Sequence, residues 1–189
     1  MKAYTNVNLV TCDSAFHVYR EGLLVVEDER IAYCGTYDEA WLEQCSELVD
    51  YEGAWIMPGM VNCHTHSAMT LLRGIRDDSN LHEWLEDYIW PAESQFTADL
   101  TTQAVQLALA EMLLSGTTTF NDMYNPQGVE IDRIYQAVRQ SGMRCYFSPT
   151  LFSSAAETAE ENLARTRAII EKIRSYNDED FQVMVAPHS

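Results

Sequence analysis

The sequence predicts an α/β protein: βα units around a parallel sheet, preceded by a short all-β stretch. Three observations carry this expectation. Residues 1 to about 55 hold only short β-rich runs. From Trp55 onward, apolar strand-like runs alternate with helical stretches, the order that builds a parallel sheet. The 189 residues are 47% hydrophobic, enough to bury the core of one sizeable domain or two small ones.

Each element has its own local reason. YTNVNLVT, GLLVVEDE and RIAYCGT are rich in β-branched and aromatic residues with turn residues between them, and read as hairpin strands. About fifty such residues form a marginal domain by themselves. WIMPGMVNCH reads as one apolar strand, and a long polar–aromatic connection follows it to Phe96. A helix is predicted over 97-TADLTTQAVQLALAEMLLSG-116, with Thr97 as N-cap, Asp99 in the first turn and Gly116 as the stop;. It is apolar around most of its circumference and so calls for extensive packing. TTTFNDM is a second buried strand, VEIDRIYQAVRQSG a second helix stopped by Gly142, and RCYFSPTLF a third strand. Ser154 and Glu157 have capping-box spacing and open a third helix that runs to about Tyr176. FQVMVAPHS is the fourth strand.

Four strands and three helices are half of a closed (β/α)8 TIM barrel, which takes typically ~250 residues. A parallel strand at the chain end leaves an unpaired edge. The expectation is therefore the N-terminal portion of a larger barrel protein, with residues 1–55 and 56–189 as its two parts.

Charge excludes several function classes. With 29 acidic against 12 basic residues, the formal net charge is −17. A phosphate-binding surface needs clustered Lys and Arg, so nucleic acid and anionic membranes are excluded as partners. Cysteines 12, 34, 45, 63 and 145 are odd in number and form no CxxC, as expected for free thiols in a reducing compartment. The N-terminus lacks the apolar run of a signal peptide, and no stretch reaches the length of a membrane span;. The expectation is a cytoplasmic protein.

The chemistry concentrates in 58-PGMVNCHTHSAMTLLRG-74. On a strand, residues two apart share a face. Asn62, His64 and His66 are therefore expected to line up, with Cys63 and Thr65 turned towards the helix layer. Two imidazoles at that spacing can converge on one cation, which a helix would not permit. The pair ends its strand, at the rim where barrel sites are built. By itself HxH reads more readily as two ordinary rim histidines, and a zinc ion wants three or four protein groups. His188 ends another strand at the same rim and is, by composition, the natural third ligand. Asp122 reads as a packing or helix-capping residue, Trp84 and Trp90 as pocket wall or core, and His82 as exposed. Arg73 and Arg76 read as surface ion-pair residues. His17 has no evident partner.

Taken in order, PGMVNCHTHSAMTLLRG, LHEWLEDYIWPAE, GTTTFNDMY and APHS resemble the amidohydrolase superfamily. Within it they resemble the branch of 5-methylthioadenosine/S-adenosylhomocysteine deaminases and the related triazine chlorohydrolases. The resemblance runs over nearly the whole chain and implies a small β-sandwich before a metal-dependent barrel. It implies His64 and His66 as metal ligands, with Zn2+ or another divalent transition metal as cofactor. Glu93 in WPAE is implied to bind ribose hydroxyls, and His188 to contact substrate rather than metal. The implied reaction is hydrolytic deamination of an adenosine-like nucleoside by metal-activated hydroxide; deamination or dechlorination of another heterocycle is the alternative. The branch's third ligand histidine, its proton-shuttling glutamate and its metal aspartate would all lie past Ser189, so no proton-shuttling residue is expected within the chain. The metal is then expected to be weakly held and the chain alone inactive: a half-barrel that pairs with a second copy or with a C-terminal half. After the third strand, SPTLFSSAAETAEENLAR has no arginine before Arg165. Some members hold an amino-acid carboxylate there, so a smaller nucleoside or another amino-heterocycle fits as well as S-adenosylhomocysteine.

Overall fold

The structure, a computed structural model, describes residues 1–124, 130–152 and 158–188. The chain divides into two compact units, Met1–Pro58 and Gly59–Ser189.

The first unit is a five-stranded sheet. Its strands are β1 (Lys2–Val10), β2 (Val18–Glu27), β3 (Arg30–Thr36), β4 (Glu47–Asp50) and β5 (Trp55–Ile56), with a short helix α1 (Glu39–Leu42) before β4. The order is β3-β2-β1-β4, and β5 also pairs with β1. The first three strands form the antiparallel meander that the hairpin pattern predicts, while β4 and β5 run parallel to β1. Alternation along β2 puts apolar residues on both faces. Leu23 and Val25 pack with Ala3 against Trp41 and Leu42, and Leu24 packs with Val7, Leu9 and Ile56. His17 does have a partner: its Nδ1 lies 2.7 Å from Asp13 Oδ2 in the turn between β1 and β2.

The second unit is a parallel βα sheet. WIMPGMVNCH is not one strand. Trp55–Ile56 stays with the first unit, and β6 (Met60–Thr65) opens the second. A cradle at Gly59 sets this start: a Cβ there would lie 2.1 Å from Thr118 Oγ1. A 3-10 turn follows (Ser67–Leu72). The connection then becomes helical in three contiguous pieces: α2 (Leu81–Glu83), a π-helical stretch (Trp84–Ile89) and α3 (Trp90–Glu93).

Next come α4 (Ala98–Leu114), β7 (Thr117–Tyr124), α5 (Ile131–Ser141), β8 (Arg144–Phe152) and α6 (Ala159–Ser175). Thr97 caps α4 by accepting from Leu100 N–H, and Gly142 closes α5 with φ +72°, a conformation that suits glycine;. The cap of α6 is Thr158 with Glu161, a full capping box; the Ser154–Glu157 pairing lies outside the described residues. The predicted fourth strand is two short ones, β9 (Phe181–Val183) and β10 (Ala186–His188), both parallel to β8.

The strand order is β10-β8-β7-β6, the chain order of an opening barrel. Its core lies between the sheet and α4, α5 and α6. Val105, Leu109 and Met112 of α4, Val138 of α5 and Ile173 of α6 close over Phe120, Phe147 and Phe181. Each of these phenylalanines is at most 1% exposed, and burying such a side chain contributes about 1.5–3 kcal/mol.

Candidate functional site

The site is built where β6 ends. Its phase departs from strict alternation. Asn62 pairs with Phe120 and Thr65 with Asp122, so three steps on β6 oppose two on β7, as in a bulge. The Asn62 amide accordingly reaches Met112 Sδ of α4 at 3.8 Å, which puts Asn62 towards the helix layer rather than in line with the histidines. The Asn62 Oδ1 accepts from His64 N–H at 3.1 Å. A bulge beside a site re-aims side chains, and here it brings the His64 and His66 rings edge to face, 5.1 Å between centroids.

His66 is the better defined of the two. Its Nδ1 lies 2.6 Å from the Met123 carbonyl oxygen of β7. A carbonyl only accepts, so Nδ1 carries the proton and Nε2 keeps its lone pair free in the neutral ring. This is the usual arrangement of a metal-binding imidazole, its other nitrogen held by a carbonyl or carboxylate. A cleft of about 350 Å3 lies alongside, lined by His64, His66, Ser67, Thr70, Arg73 and Glu111 among others. The Arg73 guanidinium forms a two-pronged ion pair with Glu111, at 3.0 and 2.6 Å; its partner is on α4, not the neighbouring Asp77 or Asp78. Arg76 instead bonds Ser79 and stacks over Tyr88.

Glu93 ends α3 and is half-buried, within electrostatic reach of His66. Burial pushes its carboxyl up, and a hydrogen bond from the Tyr124 hydroxyl pulls it back. Burial and the Glu93 charge push the Tyr124 phenol up, so it keeps its proton and donates. The structure therefore joins Glu93 to the His66 side of the site. His188 ends β10, its backbone paired with β8 at Phe152, so β8 and β7 separate its strand from the histidine pair's strand. Cys63 is exposed. Among the described residues no group of three or more His, Cys, Asp or Glu side chains is placed to hold a metal, so the pair supplies two donors and no third.

Two residues gain roles here that the motifs did not assign. Asp122 is 2% exposed. It accepts from Ser67 N–H at 2.9 Å and from Ser67 Oγ–H at 2.5 Å. This is capping of a kind, but across the sheet, from β7 onto the first residue of the 3-10 turn. Tyr124 holds Glu93. The signal was present in the strand period: Phe120, Asp122 and Tyr124 share one face of β7, and a carboxylate in phase with a core phenylalanine must find a partner.

A polar cluster at the C-terminal ends of parallel strands is common to α/β proteins, and the chain-order succession of β6, β7, β8 and β10 is that of the barrel class;. The pattern of the amidohydrolase family matches residues 55–189, and the chain belongs to that family. It is 44% identical over 188 residues to a 5-methylthioadenosine/S-adenosylhomocysteine deaminase of Bacillus cytotoxicus, covering 99% of this chain and 43% of that protein. Among solved structures, it superposes on an adenosine deaminase from Xanthomonas campestris with bound zinc. The TM-score is 0.79 at 28% identity, over 100% of this chain and 44% of that one. It also shares the fold of the atrazine chlorohydrolase of Arthrobacter aurescens, crystallised with zinc (TM-score 0.80, 19% identity, 99% and 46% covered). The chain thus spans less than half the length of the relatives it matches. No helix among the described residues is long and apolar enough to cross a membrane.

Proposed function

We propose that the chain supplies the first part of a metal-dependent deaminase site acting on an adenosine-like nucleoside, such as 5-methylthioadenosine. The observation that carries this reading is His66: its Nδ1–H is engaged by Met123, which leaves the lone pair on Nε2, and the His64 ring lies 5.1 Å away between centroids. Relatives named as deaminases and neighbours solved with zinc support the same reading. His64 and His66 would hold a divalent metal, Zn2+ first, and further ligands would come from outside the described residues. At such a site the metal acidifies water at neutral pH.

Glu93, oriented by the Tyr124 hydroxyl, is the acceptor for substrate hydroxyls. Two vicinal hydroxyls on one carboxylate match the acceptor capacity of that group. His188 contributes a substrate contact from the end of β10. The net charge of −17 suits a neutral nucleoside better than a nucleotide.

The test is ammonia release from 5-methylthioadenosine. The chain alone is expected to give none. The chain extended by a segment supplying the rest of the relatives' length is expected to give zinc-dependent release, abolished by His66→Ala. An extended protein inactive on a panel of aminopurines, aminopyrimidines and aminotriazines would overturn the reading.

A further inference from the structure

We infer that Asp122 is a positioning residue for His66: it locks the turn after His66 so that the ring bonds Met123 and presents Nε2. The inference rests on the reading of His66 as a metal ligand, but its test does not depend on that reading.

The geometry is specific. His66 sits between strand and turn, at φ −127° and ψ 72°, outside the regular ladder. The next residue, Ser67, is 1% exposed, and both of its donors end on Asp122. Those two bonds fix the peptide that follows His66, and with it the direction of the His66 Cα–Cβ bond. The residue after Asp122 supplies the carbonyl for Nδ1. Two successive residues of β7 thus grip two successive residues of the β6 exit, one by side chain and one by backbone.

Burial of the Asp122 carboxylate, within electrostatic reach of the buried Cys145, is costly unless its bonds are met. Ser67 meets them, and a packing residue would not need to be acidic. The Nδ1–H tautomer is the one that peptide imidazoles disfavour in water, so it reports directly whether the grip is intact.

Nitrogen-15 NMR of the imidazoles at about pH 8, where histidine is neutral, gives the readout in the chain as it stands. In the wild type His66 is expected to be Nδ1-protonated. Asp122→Ala is expected to shift it towards Nε2–H and to weaken Zn2+ binding by roughly 10–100-fold, the usual effect of losing an outer-shell partner. Asp122→Asn is expected to retain the wild-type tautomer. Its amide keeps an acceptor for Ser67 N–H and offers a donor to Ser67 Oγ.

A folded Asp122→Ala protein with an unchanged His66 tautomer would overturn the inference, as would an Asp122→Asn protein that behaves like the alanine variant. If Asp122→Ala does not fold, Ser67→Ala removes one of the two bonds and carries the same test. A rise in the Nε2–H fraction supports the inference, and an unchanged tautomer refutes it. If the tautomers follow expectation but no variant binds Zn2+, the positioning role stands and the metal reading fails.

Discussion

Tyr124 and Glu93 shift one another at the end of β7. A half-buried carboxylate is drawn towards its neutral form by desolvation, and a phenol beside it is drawn the same way. Their hydrogen bond resolves the conflict, because the phenol gives its proton to a charged acceptor. Tyr124→Phe removes that donor without changing the ring packing. It is expected to cost about 1.5 kcal/mol, the low end for a bond to a charged group, measured by urea unfolding. The Glu93 carboxyl is expected to titrate higher, because the lost bond favoured the charged form. An unchanged Glu93 titration would mean that the bond does not orient the carboxylate. At this scale, the spacing of His64 and His66 made their nearness legible, whereas the bulge that breaks the strand phase was not. The motif holding Asp122 and Tyr124 did not show what they bond to, because their partners Ser67 and Glu93 lie far from them along the chain.

At the scale of elements, helix ends were the most legible. Thr97 and Gly116 bracket α4 through bonds made within a turn or two, so nothing distant needs to be known;. The start of α6 shows the limit of that reasoning. Ser154–Glu157 and Thr158–Glu161 have the same spacing, and the full box forms at Thr158. Thr158→Ala removes the bond from Glu161 N–H and the hydroxyl's own bond to the Glu161 carboxylate, and should lower stability by about 1 kcal/mol. The check is calorimetry beside Thr158→Ser, which keeps the hydroxyl and is expected to stay near wild type. Strand interiors were less legible. The β6 bulge and the division of FQVMVAPHS into β9 and β10 are set by how they register on β7 and β8. That information belongs to the pairing rather than to either segment.

For the whole molecule, charge is the dominant long-range term. Twelve basic residues can neutralise at most twelve of the 29 acidic ones, so a large unbalanced negative charge remains and its self-repulsion opposes the compact state. Ion pairs such as Arg73–Glu111 and Lys172–Asp132 are exposed and individually small. Raising the ionic strength from about 0.01 M to 0.15 M shortens the screening length from about 30 to 8 Å. The urea midpoint is expected to rise over that range, as self-repulsion is screened more than the local pairs are. A fall would show that the pairs carry more of the stability than the net charge removes.

The order β6-β7-β8-β10 repeats the order in which these strands leave the ribosome. Each pairing in the sheet joins a strand to one already made, and no strand must wait for a distant insertion. The His66 ring is an exception to this step-by-step growth: its carbonyl acceptor is 57 residues downstream. During synthesis His66 therefore emerges undirected, with His64 beside it. Their geometry is set only when the second strand docks, which ties the birth of the site to a single early event in folding.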